Sequence, residues 1–226
     1  MADNFRLTYL GLGNISFDEN STSIEAYDGI ATGVTLNRTL KADRWNTFCV
    51  PFAMDIEKLG EGAEVRELAS VEQSGDHYRV TFSDAESIEA GKPYLVKVPS
   101  DMSSIELTSE TGITVNTTIT PSVTKDGVTF TGVYTNGKAP MGSFIISNNK
   151  FYNVDSDVTL KSFRGYITVD SGNSVKALSF DLDDDATGLK DLKDLNDLKE
   201  IYNVAGQRMS KVQKGINIIN GKKILK

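Results

Sequence analysis

Almost every segment of this chain repeats its apolar residues at a spacing of two, and that alternation confines it to β-structure. Tyr78, Val80 and Phe82 alternate with Arg79 and Thr81, as Phe5, Leu7 and Tyr9 do with Arg6 and Thr8. Val34, Leu36 and Leu40 mark a further strand. Tyr94–Val98, Ile113–Val115, Val128–Phe130, Phe144–Ile146, Phe151-Tyr152, Tyr166–Val169 and Ala177–Phe180 are short runs of the β-branched and aromatic residues that strands favour. Ser147-Asn148-Asn149-Lys150, Lys125-Asp126-Gly127, Ser74-Gly75-Asp76 and Asp170-Ser171-Gly172-Asn173 separate such runs and read as tight turns. Strands this closely spaced, without amphipathic crossover helices, predict an all-β fold, an antiparallel β-sandwich with a small C-terminal β-hairpin tail. At 226 residues the chain is long enough to bury a core without disulfides.

Two stretches break the alternation. Residues 12–30 are polar, with Asn14, Asp18, Glu19 and Asn20, and read as a linker that isolates the single strand of residues 1–11. A lone strand buries no face, so residues 1–11 are expected to end a preceding domain. The sandwich module is then 31–181. Residues 182–199 form an acidic linker in which Leu189, Leu192, Leu195 and Leu198 recur at a spacing of three, which drifts around an α-helix instead of forming one face. In the last segment, 200–226, two hairpins are expected. One joins Ile201–Val204 to Gln207–Lys211, and the other joins Gly215–Ile219 to Lys222–Leu225 across Asn220-Gly221.

Charge and reactive residues narrow the function. A net charge of -7 argues against a nucleic-acid surface, which needs a basic face. No run approaches the roughly 18 apolar residues of a membrane helix. Met1-Ala2-Asp3-Asn4 has no basic n-region and no apolar core follows, so an exported protein would have this chain as a fragment. Cys49 is the single cysteine, stands among apolar neighbours and reads as a small buried hydrophobe. His77 is the single histidine, beside a turn, and supplies neither a His-based metal site nor a catalytic triad. Asp181, Asp183 and Asp185 are candidate calcium ligands, but an EF-hand loop needs Gly and Glu where Ala186 and Leu192 stand. Glu57, Glu61, Glu64, Glu67 and Glu72 read as charges flanking turns and strand edges. Trp45 reads as a core residue. Tyr134, beside Thr135-Asn136-Gly137-Lys138, is the candidate glycan contact at a loop edge.

Three segments carry a family resemblance. Tyr202, Gly206, Gln207 and Arg208, followed by Lys214, Gly215 and Ile216 and then Asn220, Gly221 and Lys222, resemble the C-terminal tails of Bacteroidetes surface and secreted proteins. Those tails are similar to the sorting domains of type IX secretion, although Asn217 stands where they usually carry an aromatic residue. Trp45-Asn46-Thr47-Phe48-Cys49-Val50-Pro51-Phe52, with Ile88–Val96 downstream, resembles an uncharacterised β-sandwich module of such proteins, matching from Thr32 to Phe180. Ala2–Leu10 is similar to the last strand of their jelly-roll, carbohydrate-binding-like domains.

The resemblance implies a non-catalytic structural or accessory module of a secreted or cell-surface bacterial protein. Its expected partners are neighbouring domains of a larger chain and, through the tail, the secretion machinery. No cofactor is expected. The second expectation is a glycan-binding or adhesion module attached to a carbohydrate-active surface protein.

Overall fold

The strand Gly29–Leu40 shows how the alternation becomes packing. Val34, Leu36, Arg38 and Leu40 all point inward and are buried, while the residues between them reach towards solvent. The computed structural model describes residues 11–24, 27–74, 77–170 and 177–181, with strand residues 187–188, 201–203, 208–209, 216–219 and 222–225. In chain order the strands are β1 (Asn14–Asp18), β2 (Gly29–Leu40), β3 (Trp45–Phe48), β4 (Glu64–Ser74), β5 (His77–Asp84), β6 (Tyr94–Lys97) and β7 (Met102–Val115). Next come β8 (Ser122–Lys125), β9 (Val128–Val133), β10 (Gly137–Lys138), β11 (Phe144–Ser147), β12 (Lys150–Asn153), β13 (Thr159–Leu160), β14 (Arg164–Val169) and β15 (Ala177–Asp181). The remaining strands are β16 (Thr187–Gly188), β17 (Ile201–Asn203), β18 (Arg208–Met209), β19 (Ile216–Ile219) and β20 (Lys222–Leu225). Among the described residues there is no α-helix, and Ile56–Leu59 form one 3-10 turn.

The fold is all-β and sandwich-like. A six-stranded sheet, β16-β15-β5-β4-β6-β3, shares a core with the five-stranded sheet β12-β11-β14-β9-β8. Phe82 meets Phe130 edge-on, and Phe151 stacks on Phe180 with ring centroids 3.5 Å apart. Each such buried ring contributes about 1.5–3 kcal/mol through apolar burial. The other face of the six-stranded sheet carries a second core, closed by the three-stranded sheet β1-β2-β7. This explains the unbroken apolar run at β6: Tyr94 and Val96 enter one core and Leu95 the other. Most pairings are antiparallel, but β1 with β2 and β15 with β5 run parallel.

Two expected turns form as two-residue hairpin loops. Ser147 pairs with Lys150 across Asn148 (φ 49°) and Asn149 (φ 61°), and Lys125 pairs with Val128 across Asp126 (φ 42°) and Gly127 (φ 79°). Left-handed backbone at both loop positions matches the twist of the flanking strands.

The linker readings need correction. Within residues 12–30, β1 pairs with β2 over its whole length, and Phe17 is fully buried against Phe52, Tyr27 and Phe163. The polar residues that suggested a loop are the outward half of a short alternation, eBeBe, in which only Ile15 and Phe17 face the core. Within 182–199, Thr187 and Gly188 form β16 against β15. The strand expected in residues 1–11 and the leucines of 189–198 lie outside the described residues. Both expected tail hairpins form, and β17 also pairs with β19, giving the sheet β18-β17-β19-β20.

Candidate functional site

The site begins with an arginine in a row of apolar residues. Arg38 continues the inward set of β2 and is fully buried. Its guanidinium donates to the backbone carbonyls of Phe163 and Thr47 and lies 5.0 Å from the Phe48 ring centroid. Its Nε has no hydrogen-bond partner among the described residues. Burial, and the neighbouring charge of Arg164, push its pKa well below the usual arginine value, while Glu19 opposes them. Arg38 satisfies two carbonyls from segments distant in sequence and adds positive charge beneath the surface they form.

Above it lies Glu19, the residue following β1, 8% exposed. Its carboxylate accepts from Lys161 Nζ at 2.8 Å and from Arg164 at 2.7 Å. The backbone holds it in place: Glu19 N–H donates to the Asn37 carbonyl and the Glu19 carbonyl accepts from Ser162 N–H, both at 2.9 Å. Burial raises the Glu19 pKa, but the Lys161 hydrogen bond and the Arg164 charge outweigh it and hold the carboxyl below its ordinary value.

Beside this network, β3, β11, β13 and β14 line a cleft of about 430 Å³. Lys41, Arg44, Lys161 and Arg164 line it, together with Asn46, Thr47 and Asn148, and with Ile145 and Val158 as apolar wall. Among the described residues no carboxylate lines it. Lys41 is paired with Asp101 at 2.7 Å. Arg44 donates to the Asn148 amide oxygen in the β11–β12 turn, and Asn149 Oδ1 accepts from Trp45 N–H at 2.7 Å. The hairpin turn thereby fixes the entry to β3. Among the described residues, four lining cations less the two acids that pair with them, Glu19 and Asp101, leave a charge of +2 here, on a chain of net -7.

A second recess, about 500 Å³, is lined by Thr22, Ser23, Thr118, Thr120, Tyr134 and Asn136 among others. Tyr134 is therefore corrected from a loop-edge surface residue to a buried one, 8% exposed. It packs in the second core, the one closed by β1-β2-β7, because β9 ends one residue earlier and its period-two pattern continues inward. Its hydroxyl finds no hydrogen bond among the described residues, and burial, with the nearby Cys49, pushes its pKa up. The recess itself presents hydroxyl and amide groups.

The other sequence candidates divide. Asp181 ends β15 and its carboxylate pairs with Arg79 at 2.7 Å, which commits it to an ion pair. Asp183 and Asp185 lie outside the described residues. Cys49 is buried, and burial raises its thiol pKa despite the nearby Arg38, which suits an inert core residue. His77 is exposed at the start of β5. Trp45 is 6% exposed in the core between the six- and five-stranded sheets, and the cations of Arg66 and Lys97 lie over its ring. β4 pairs with β6 only over Glu64–Arg66 and with β5 from Arg66 onward, so Glu64 stands where β4 pairs with β6 alone, and Glu67 and Glu72 where it pairs with β5 alone; Glu64 pairs with Lys97 at 2.8 Å and Glu67 with Lys92 at 2.5 Å. Of the tail residues, Tyr202, Arg208, Ile216 and Lys222 fall on β17, β18, β19 and β20. Gly206, Gln207, Lys214, Gly215, Asn220 and Gly221 lie outside the described residues.

Sequence reasoning did not single out Arg38 or Glu19. For Arg38 a signal existed, an arginine in phase with Val34, Leu36 and Leu40. For Glu19 there was none, because its partners are more than a hundred residues away.

Compared with known proteins, the chain matches no family model, no curated protein and no solved structure.

Proposed function

We propose that residues 31–181 are a non-catalytic structural or accessory module of a secreted or cell-surface bacterial protein, and that residues 200–226 are its sorting or anchoring tail. One observation supports this most: among the described residues the four tail strands pair only with one another, as a separately built unit would. The order of the Gly206-Gln207-Arg208, Lys214-Gly215-Ile216 and Asn220-Gly221-Lys222 pieces supports it from the sequence side. Partners are then the neighbouring domains and, for the tail, the type IX machinery. Fusing residues 200–226 to a folded reporter in a Bacteroidetes host tests the tail. Reporter at the surface or in the medium is the expected result, and retention in the periplasm or cytoplasm would remove the sorting role.

A second reading is a glycan-binding module. It is favoured by the recess over Tyr134, whose lining of threonine, serine and asparagine matches the donors and acceptors of a neutral sugar. Screening the full chain on a glycan array checks it, and an absence of binders at millimolar affinity counts against it.

A further inference from the structure

We infer that the cleft between β3, β11 and β14 binds a carboxylate-bearing saccharide, a uronic acid unit of an acidic glycan. The inference shares with the second reading above the premise that this module meets carbohydrate, but it concerns a different site and a different sugar chemistry. Three observations carry it.

The first is charge. Lys41, Arg44, Lys161 and Arg164 line the cleft, and among the described residues only Glu19 and Asp101 pair with them, Asp101 also lying within reach of the Arg44 charge. The fully buried Arg38 adds its charge directly beneath, since its guanidinium is held by the carbonyls of Thr47, in the cleft lining, and of Phe163, next to Arg164. No carboxylate is bonded to that guanidinium among the described residues. A cation shielded from water projects its field further than an exposed one, so the cleft attracts an anion although the whole chain is acidic.

The second is the form of the free donors. Arg44 bonds only a neutral amide oxygen, that of Asn148, among the described residues, so its remaining N–H groups are available. A planar guanidinium matches a carboxylate in a bidentate pair. The third is the rest of the lining. About 430 Å³ suits one or two sugar rings. Ile145 and Val158 offer an apolar wall to the C–H face of a ring, while Asn46, Asn148 and Thr159 offer hydrogen bonds to its hydroxyls. An inorganic oxyanion would use neither feature. A polyphosphate strand is disfavoured by the overall charge of -7.

The test is calorimetric titration of the full chain with digalacturonate, neutral digalactose, sodium sulfate and tetraglutamate, repeated on Arg44→Gln. Arg44 is exposed, so this variant keeps the fold, and a circular-dichroism melt verifies that. The expected result is millimolar or tighter digalacturonate binding, weakened about tenfold by Arg44→Gln and weakened again by 0.5 M salt. The inference is overturned if digalacturonate does not bind, or binds equally well to Arg44→Gln. Sulfate binding as tightly as the uronate would overturn it in favour of a bare-anion site, and tetraglutamate doing so would overturn it in favour of an acidic peptide. Digalactose binding that ignores Arg44 but falls in Thr135→Val, a change in the lining of the other recess, upholds the glycan reading by itself. The two ideas can therefore fail separately.

Discussion

At Glu19 a single carboxylate answers two cations, Lys161 and Arg164, that reach it from beyond β13. Removing its charge leaves both cations facing each other and Arg38. Glu19→Gln is expected to lower stability at pH 7 by about 2–3 kcal/mol, below the loss for a fully buried pair because both cations reach solvent. The pH dependence has a definite sign. The folded pKa lies below the ordinary value near 4.5, so the contribution is present above that value and disappears as pH falls through the folded pKa. Urea titrations of both proteins between pH 7 and 3 should show the gap constant above about pH 5 and closing below 4.5; a gap independent of pH would show that the carboxylate charge is not the cause. Cys49 gives a second prediction at this scale. With its thiol fully buried and its pKa raised, it should resist a thiol reagent in the native protein and react at once in denaturant. Rapid native labelling, followed by absorbance, would contradict its place in the core.

Among the elements, the β11–β12 hairpin shows local and tertiary demands meeting in one turn. Asn148 and Asn149 both take left-handed backbone, which their side chains tolerate and which glycine tolerates better. From turn chemistry alone, Asn149→Gly should be neutral or stabilising. The structure predicts the reverse. The Asn149 side chain accepts from Trp45 N–H at 2.7 Å and donates to the Asp43 carbonyl at 3.2 Å, tying the turn to the entry of β3. Losing both bonds should cost about 1–2 kcal/mol net, measured by thermal or urea unfolding. A stabilised Asn149→Gly would mean that these bonds contribute less than the turn. A related contrast appears at β6, where the short apolar run was legible as a strand, but not as one covered on both faces. Periodicity reports that a residue is buried and is silent on how many sheets bury it.

For the whole molecule, the body and the tail differ in how their strands find partners. In the body, β1 meets β2, β2 meets β7 and β15 meets β5, so the sheets close over long loops of sequence. In the tail, all pairing among the described residues occurs within residues 201–225. Deleting residues 200–226 should therefore leave the body's melting temperature unchanged within about 2 °C, since a shift of 1 kcal/mol would move it by only about 2–4 °C. A fall of more than 5 °C on calorimetry would show that the tail packs on the body and is no independent unit.

Much of this protein is determined by its sequence alone. The alternation of Tyr78, Val80 and Phe82 dictates a strand with one buried face, because successive side chains point to opposite sides. Asp126-Gly127 and Asn148-Asn149 dictate hairpins, because few residues tolerate left-handed backbone twice in succession. The separate patterning of the tail dictates its own hairpins in the same way. These are short-range consequences of backbone sterics. Only the tertiary structure decided that Asn14–Asp18 is a strand, since two apolar residues in a polar stretch carry too little pattern until Phe17 finds its aromatic neighbours. It also decided that Tyr134 turns inward and that Arg38, Glu19, Lys161 and Arg164 converge beside one cleft. Glu19 and Arg164 lie 145 positions apart, and no local rule links residues so distant. Their meeting depends on which sheets stack, and that is settled by burial of the whole core.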